Sequence, residues 1–270
     1  MGLGKAIRLA RLFADPSGRL CSVAVDHFLA YHEGLPEGLR DLPATIAAIV
    51  DGGPDAITMN KGVALGCWGP YAGRVPLIIQ SLMVRPDDTA DEHSSVPEDA
   101  VRLGADAFAT CAFVRGKTEA AHLRRVADFV RAAERWDLPV VLHTYPRRFN
   151  DDGTVEIVHD PESIAWAVRC GIEMGVDVIK VPFTGDAASY GQIVSECPVP
   201  VVAAGGPKAA TLRDALAMAA EVTASGARGM TVGRNIWGTG QITGAVEAFK
   251  AVIHNGATAE EAMQEAGLPA

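Results

Sequence analysis

The sequence lacks the features that mark secreted, membrane and nucleic-acid-binding proteins. Its first eleven residues mix lysine and arginine with apolar residues and contain no long uncharged run. This pattern predicts an amphipathic helix rather than a signal peptide or a membrane span. No basic block offsets the formal net charge of −9, which argues against general binding to nucleic acid. We therefore expect a cytoplasmic protein whose partners include neither nucleic acid nor a membrane.

Cysteine and cofactor motifs are equally sparse. The five cysteines form no CxxC pair, which favours reduced thiols over a disulfide framework. The seven histidines form no HxH or HxxxH cluster, so a zinc site would need distant residues such as His27, His143 and His159. No GxGxxG follows the first apolar run, which weakens a dinucleotide site. We expect no metal and no other cofactor.

The sequence does contain a regular alternation of short apolar runs and longer stretches that suit crossover helices. The eight runs are Leu20–Asp26, Ala56–Asn60, Leu77–Ser81, Ala107–Phe113, Pro139–Tyr145, Val176–Phe183, Val199–Gly206 and Gly229–Asn235. Several are apolar on both faces, as in parallel strands covered on each side. Eight such β/α units predict an α/β fold, a single (β/α)₈ TIM barrel with a short N-terminal helix. A doubly wound open sheet is the alternative. No Pro/Ser-rich linker divides the chain, so we expect one domain over residues 1–270.

Local signals place two helices and leave one segment open. Asp160 followed by Pro161 predicts the start of a helix that runs to about Gly175. Thr258 with Glu261 predicts a capping box for the last helix. Residues 87–98 are polar and acidic, which is typical either of a loop over the barrel mouth or of a solvated turn.

Unusual polar residues stand at the carboxyl ends of the predicted strands, where barrels of this kind do chemistry. Lys180 lies inside the apolar run Val176–Phe183, from which a lysine is normally expelled unless it has a partner or a task. Desolvation in the barrel would lower the pKa of its amine and free the lone pair to attack a carbonyl. The alternative is a structural lysine that snorkels or pairs with Asp26.

Asp26 and Tyr145 are candidate acid/base groups for the same chemistry. A carboxylate near an imine stabilises its cation, and a phenol relays a proton. A structural interpretation stays open for both, because an aspartate after a strand often caps a turn and a tyrosine before proline often packs. Lys61, after the second strand, is a competing nucleophile in less apolar surroundings.

Glycine-rich loops follow the last two strands. The first reads Gly205-Gly206-Pro207-Lys208 and the second Gly233-Arg234-Asn235. Adjacent glycines let backbone N–H groups approach an anion, and barrels often hold phosphate at these loops. Glycines also serve ordinary turns, but two such loops on successive strands favour a phosphate site. Other strand ends carry His27, His143 and Arg147, which we expect to contact the substrate.

Taken in order, the segments VDH, HTYPRR, DPESIAWAV, VIKVPFTGD, VVAAGGPK and TVGRNIW resemble the archaeal-type class I fructose-bisphosphate aldolases and their bacterial relatives. The resemblance is densest over residues 140–237, with a further match at Asp26. It implies a TIM barrel, a covalent imine without metal, a phosphorylated sugar or keto substrate, and assembly as a homo-oligomer. Lys180 matches the family's Schiff-base lysine, Tyr145 its proton-transfer tyrosine and Asp26 its first-strand aspartate. The phosphate-binding positions of the family fall on Gly205, Gly206, Gly233 and Arg234.

Two departures from the family pattern concern the substrate. The family usually has glycine after the DH pair, whereas Phe28 stands here, and a tryptophan common before the tyrosine is replaced by His143. The expected enzyme is therefore a lyase of the class I aldolase type whose sugar is open. The alternatives are a thiolase or transaldolase-like relative, and a sugar-phosphate sensor without catalysis.

Overall fold

A computed structural model of the chain describes residues 1–27 and 34–269. Its centre is a closed barrel of eight parallel strands. These strands are β1 Leu20–Ala24, β2 Ala56–Asn60, β3 Leu77–Gln80, β6 Ala107–Val114, β7 Val140–Phe149, β9 Val178–Val181, β10 Val201–Ala204 and β11 Gly229–Val232. They pair side by side in this order, and β11 pairs back to β1. Each overlaps one of the eight predicted runs, so the predicted (β/α)₈ barrel is confirmed.

Helices precede, connect and follow the barrel strands along the chain. They are α1 Leu3–Leu12, α2 Leu42–Asp51, α3 Lys61–Cys67, α4 Pro97–Arg102, α5 Glu119–Glu134, α6 Pro161–Met174, α7 Ala187–Glu196, α8 Leu212–Ala224, α9 Arg234–Trp237, α10 Ile242–Lys250 and α11 Ala259–Glu265. The described residues include no helix long and apolar enough to cross a membrane.

The helix signals in the sequence are confirmed. The Asp160 carboxylate accepts from the Ser163 N–H at 2.9 Å and starts α6, which ends at Gly175 with a φ of 75°. Positive φ is the backbone conformation for which glycine has the lowest steric cost. Thr258 and Glu261 form the expected capping box before α11.

Two short hairpins extend the barrel at the carboxyl ends of its strands. Strands β4 Leu82–Val84 and β5 Asp91–His93 pair antiparallel between β3 and β6. Part of the polar segment 87–98 is therefore a strand, rather than only a loop or turn. Strand β7 runs four residues past the predicted end at Tyr145 and pairs with β8 Val155–Ile157.

Helix α1 closes the opposite, amino-terminal end of the barrel. Leu12 is fully buried there against apolar side chains that point inward from the barrel strands, with Leu9 and Phe13 packed beside it. Those inward side chains are Leu20, Ala56, Ile78, Ala107, Ala109, Val141, Val178 and Val202. The layer makes this end of the barrel a packed core rather than a channel.

The alternation of side chains along each strand then determines which residues point into the barrel between this layer and the carboxyl ends of the strands. Residues two apart on a strand face the same side. Stepping from Val141 to His143 and from Val178 to Lys180 keeps both polar side chains inside the barrel. The register of β7 against β9 sets His143 directly beside Lys180.

Candidate active site

Lys180 is a buried lysine in the barrel interior. Only 5% of its surface is exposed. Burial lowers the pKa of the Lys180 amine below its ordinary value, and the negative charge of Asp26 opposes that effect without cancelling it. A larger share of this lysine is therefore neutral at a given pH than of a lysine in water.

Asp26 faces Lys180 from the end of β1 and is itself buried. Burial acts to raise the pKa of Asp26, but hydrogen bonding to His27 and the positive charge of Lys180 outweigh it, so the pKa lies below its ordinary range. The Nδ1 atom of His27 stands 3.3 Å from Asp26 Oδ1. The carboxylate is consequently an anion throughout the neutral range.

Gln80, the last residue of β3, joins Asp26 to His143. Its Nε2 donates to Asp26 Oδ2 at 3.1 Å and lies 3.1 Å from His143 Nδ1. Sequence reasoning missed this residue. The available signal was a glutamine that ends an otherwise apolar strand, Leu77-Ile78-Ile79-Gln80, where an unpaired amide would be costly.

The orientation of the Gln80 amide fixes the proton on His143. Oε1 of Gln80 accepts from the backbone N–H groups of Ser81 at 2.9 Å and Leu82 at 3.2 Å, so the amide nitrogen must face Asp26 and His143. Burial lowers the pKa of His143 well below its ordinary value, and Lys180 lowers it further. A neutral His143 that accepts at Nδ1 carries its proton on Nε2.

Two adjacent cavities meet at Lys180 and share His27, Tyr145 and Ile157 as further lining residues. The first, which we call the inner arm, has a volume of about 80 Å³ and is also lined by Asp26, Leu82, Pro86, Cys111, Phe113 and His143. The second, the loop arm, has a volume of about 150 Å³ and is also lined by His159, Pro182, Ala204, Gly205, Gly206, Pro207, Thr231, Gly233 and Arg234. Tyr145 thus borders both arms beside the lysine.

The two glycine-rich loops form one wall of the loop arm. A Cβ atom on Gly233 would lie 2.3 Å from Cε1 of His27, and one on Gly205 would lie 2.9 Å from Cα of Val232. Gly206 has a φ of 69°. Side chains at these positions would therefore clash or strain the backbone. Asn235 ties the loops together, since its Nδ2 donates to the Gly205 carbonyl at 2.9 Å.

Two residues that we expected to contact the substrate, Arg147 and Lys208, line neither arm. The guanidinium of Arg147 is fully buried and donates to Asp88 at 2.7 Å, to the Pro86 carbonyl and to Thr118. It lines neither arm. Lys208 donates from Nζ to the Gly238 carbonyl at 2.8 Å and lies outside the loop arm. The other predicted site residues line one or both arms.

The competing lysine and the histidines have separate positions. Lys61 lies at the start of α3, where its Nζ is 2.9 Å from Asp99 Oδ2, and it lines neither arm. His159 lines the loop arm and pairs through Nδ1 with the Phe183 carbonyl at 2.9 Å. Within 1–27 and 34–269, no three His, Cys, Asp or Glu residues are grouped so that they could hold a metal ion. Phe28 lies outside the described residues.

Comparisons with known proteins agree with this geometry. Residues 20–239 match the profile of the DeoC/LacD family of aldolases. The 2-amino-3,7-dideoxy-D-threo-hept-6-ulosonate synthase of Halobacterium salinarum is 32% identical over 98% of this chain and 97% of its own length. The class 1 fructose-bisphosphate aldolase of Thermoproteus tenax is 33% identical over 77% of this chain and 82% of its own. A solved Schiff-base-forming fructose-1,6-bisphosphate aldolase superposes with a TM-score of 0.79 at 28% identity, covering 92% of this chain and 99% of that one.

Proposed function

The chain belongs to the DeoC/LacD aldolase family and is a class I, Schiff-base aldolase; we propose that Lys180 forms its imine with a phosphorylated ketose or a related keto-sugar phosphate. The observation that carries the proposal is a buried amine with a lowered pKa at the junction of two cavities. A neutral amine is the nucleophile that attacks a ketone. The remaining residues of the site are assigned around that step.

Asp26 stabilises what the attack produces. When Lys180 adds to the C2 ketone and water leaves, the nitrogen becomes part of a cationic imine. The carboxylate of Asp26, whose pKa is held low, faces that cation in a site largely closed to water. Opposite charges attract more strongly there than in solvent. Gln80 keeps the carboxylate in place through its hydrogen bond.

Tyr145 is positioned to transfer the proton that accompanies cleavage of the C3–C4 bond. It borders both arms beside Lys180. As the C3–C4 bond breaks, its electron pair moves into the imine to give an enamine. The proton of the C4 hydroxyl passes to the oxygen of Tyr145 in its phenolate form, the aldehyde leaves, and the resulting phenol supplies the proton that C3 of the enamine then takes. Protonation of the enamine at C3 and addition of water then release the ketone and restore Lys180.

The phosphate of the substrate is assigned to the loop arm. Gly205, Gly206 and Gly233 present backbone without side chains in that arm, and Arg234 lines it as well. Backbone N–H groups and a guanidinium are the donors that phosphate accepts in proteins. With the phosphate in the loop arm, the C2 ketone, two bonds from the ester oxygen of the phosphate, reaches Lys180, where the two arms meet.

A synthase that transfers a three-carbon unit to an acceptor aldehyde is a second candidate. The observation that favours it is the relative from Halobacterium salinarum, which aligns over 98% of this chain, against 77% for the Thermoproteus tenax aldolase. Both reactions proceed through the same imine. A cleaving aldolase releases aldehyde from the ketose phosphate alone, whereas a transferase needs an acceptor. A thiolase relative would instead turn over only with coenzyme A.

Borohydride trapping tests the imine. The protein is incubated with dihydroxyacetone phosphate, reduced, and analysed by intact mass and peptide mapping. We expect one adduct on Lys180, which Lys180→Ala abolishes and Lys61→Ala retains. The second variant is a matched control because Lys61 is the other candidate lysine and lines neither arm. An adduct on Lys61, or no adduct with a panel of ketose phosphates, would refute the assignment.

A further inference from the structure

We propose that the inner arm receives the aldehyde partner and selects a short, uncharged, mainly apolar aldehyde without a phosphate group. The inference rests on the proposed function, since it takes the phosphate of the ketone to lie in the loop arm. Lys180 and Tyr145 border both arms. The C3–C4 bond therefore lies beside them, and the carbon chain beyond C4 extends away from the loops into the inner arm.

The wall of the inner arm is apolar where that chain would lie. Leu82 comes from the β4–β5 hairpin, and Cys111 and Phe113 come from β6. All three are less than 10% exposed and pack in one cluster with Val84. Ile157 and Pro86 complete the wall. Such surfaces favour alkyl groups, while a polar group placed against them loses its hydrogen bonds to water.

The charges around the arm also disfavour a second phosphate. Among the described lining residues, Lys180 is the only lysine or arginine, and it is consumed by the imine. Residues 28–33, which lie outside the described part, contain neither lysine nor arginine. Asp26 is a buried anion in the same arm. A phosphate dianion would meet this carboxylate in poorly solvated surroundings, where like charges repel strongly.

Arg147, two residues after the lining residue Tyr145 on β7, is held away from the arm. Its guanidinium carbon lies 5.6 Å from the centroid of the Phe113 ring, and Phe113 lines the arm while Arg147 does not. Asp88 already neutralises the guanidinium. The arginine instead donates to the carbonyl of Pro86, so it fixes the hairpin that carries part of the apolar wall.

The size of the arm limits the aldehyde. Its volume is about 80 Å³, and a cavity needs roughly 10–15 Å³ on this measure for each water-sized group. About five to eight such groups fit by that ratio. Propanal and butanal stay within the lower bound of this range with the C1 carbonyl at Tyr145, hexanal exceeds that lower bound, and alkyl chains longer than heptanal exceed the upper bound.

The experiment measures carbon–carbon bond formation from dihydroxyacetone phosphate and a panel of aldehydes. Borohydride trapping of the ketone alone is done first. Butanal should exceed D-glyceraldehyde 3-phosphate in kcat/KM at least tenfold, and propanal should fall about threefold to fourfold below butanal for its missing methylene. A preference for the phosphorylated aldehyde with the Lys180 adduct intact overturns this inference alone. Absence of the adduct overturns the proposed function beneath it.

Two variants of β4 test the wall itself. Leu82→Ala shortens a side chain that lines the arm, whereas Val84→Ala shortens a buried neighbour on the same strand that does not line it. We expect the ratio of kcat/KM for hexanal to that for propanal to rise about threefold to tenfold in Leu82→Ala, and to stay at the parent value in Val84→Ala. Because a ratio cancels the fraction of folded enzyme, a loss of stability does not mask the result. An equal change in both variants overturns the assignment of the wall.

Discussion

Gln80 offers the sharpest test of the hydrogen-bonded centre, through the change Gln80→Glu. The substitution keeps the size of the side chain and the oxygen that accepts from Ser81 and Leu82. It replaces the donating nitrogen, 3.1 Å from Asp26 Oδ2, by a second carboxylate oxygen. Two unit charges at that separation repel by about 5 kcal/mol at an effective dielectric constant of about 20. The folded variant avoids this by holding one extra proton.

The extra proton makes the stability of the variant depend on pH. A glutamate in the unfolded chain releases its proton with a pKa of about 4.3. In the folded variant the pKa is raised, so its stability matches that of the parent below this pH and is lost as the pH rises. The slope is about 1.4 kcal/mol per pH unit. Relative to the parent, we expect a further loss of roughly 2–3 kcal/mol between pH 5 and pH 7.

Urea denaturation of parent and variant at half-unit steps from pH 5 to pH 8 measures this difference. Gln192→Glu is the matched control, because the Gln192 amide also donates to a carboxylate, Glu196, at 3.0 Å, but on the exposed surface of α7. Solvent screens the control pair, which should cost about 0.2–0.5 kcal/mol at most. A destabilisation of Gln80→Glu that stays constant across this range would refute the buried Asp26 anion and the role given to Gln80.

Two further predictions concern Tyr145 and the glycine-rich loop that begins at Gly233. Tyr145→Phe should lower kcat for cleavage or condensation by about 10²–10⁴-fold, while the borohydride adduct on Lys180 still forms. If the adduct is lost together with turnover, Tyr145 acts before the step that breaks or forms the carbon–carbon bond. Gly233→Ala should weaken phosphate inhibition and lower the melting temperature, because its Cβ would lie 2.3 Å from the His27 ring. Gly62→Ala, in α3 with no atom within 4 Å of the added carbon, is the control, and equal behaviour of the two variants would contradict the close approach.

The sequence was sufficient for the barrel because its signals are local and repeated. Eight apolar runs, with caps such as Asp160 and Thr258, predict strands and helices one at a time. Closure of the sheet into a barrel follows because the predicted β/α units number eight. The hairpin at 82–93 was less visible, since β5 is a three-residue strand, Asp91-Glu92-His93, without an apolar face. The single domain over 1–270 and the homo-oligomer stay predictions.

The sequence indicates which residues stand at the strand ends around the candidate site, but not where each of their side chains points. Lys180, Asp26, Tyr145 and the glycine loops stand at strand ends, and the barrel brings strand ends together. Arg147 is at a strand end as well, yet β7 continues past Tyr145 into a hairpin, where the guanidinium meets Asp88 from a segment 59 residues earlier. Sequence spacing holds no information on such a pair. Gln80 was missed because its role depends on two partners from other strands.

Helix α1 gives the barrel one closed end, and this affects the movement of water during turnover. Leu12 and the inward apolar layer leave no path to Lys180 from that side of the described structure. The water released as the imine forms, and the water that later hydrolyses it, must both pass the opening through which aldehyde and ketone phosphate enter. A bound aldehyde therefore shields the enamine from solvent. In the proposed mechanism, hydrolysis follows its departure, because the ketone stays covalently bound to Lys180 until water has reached the imine.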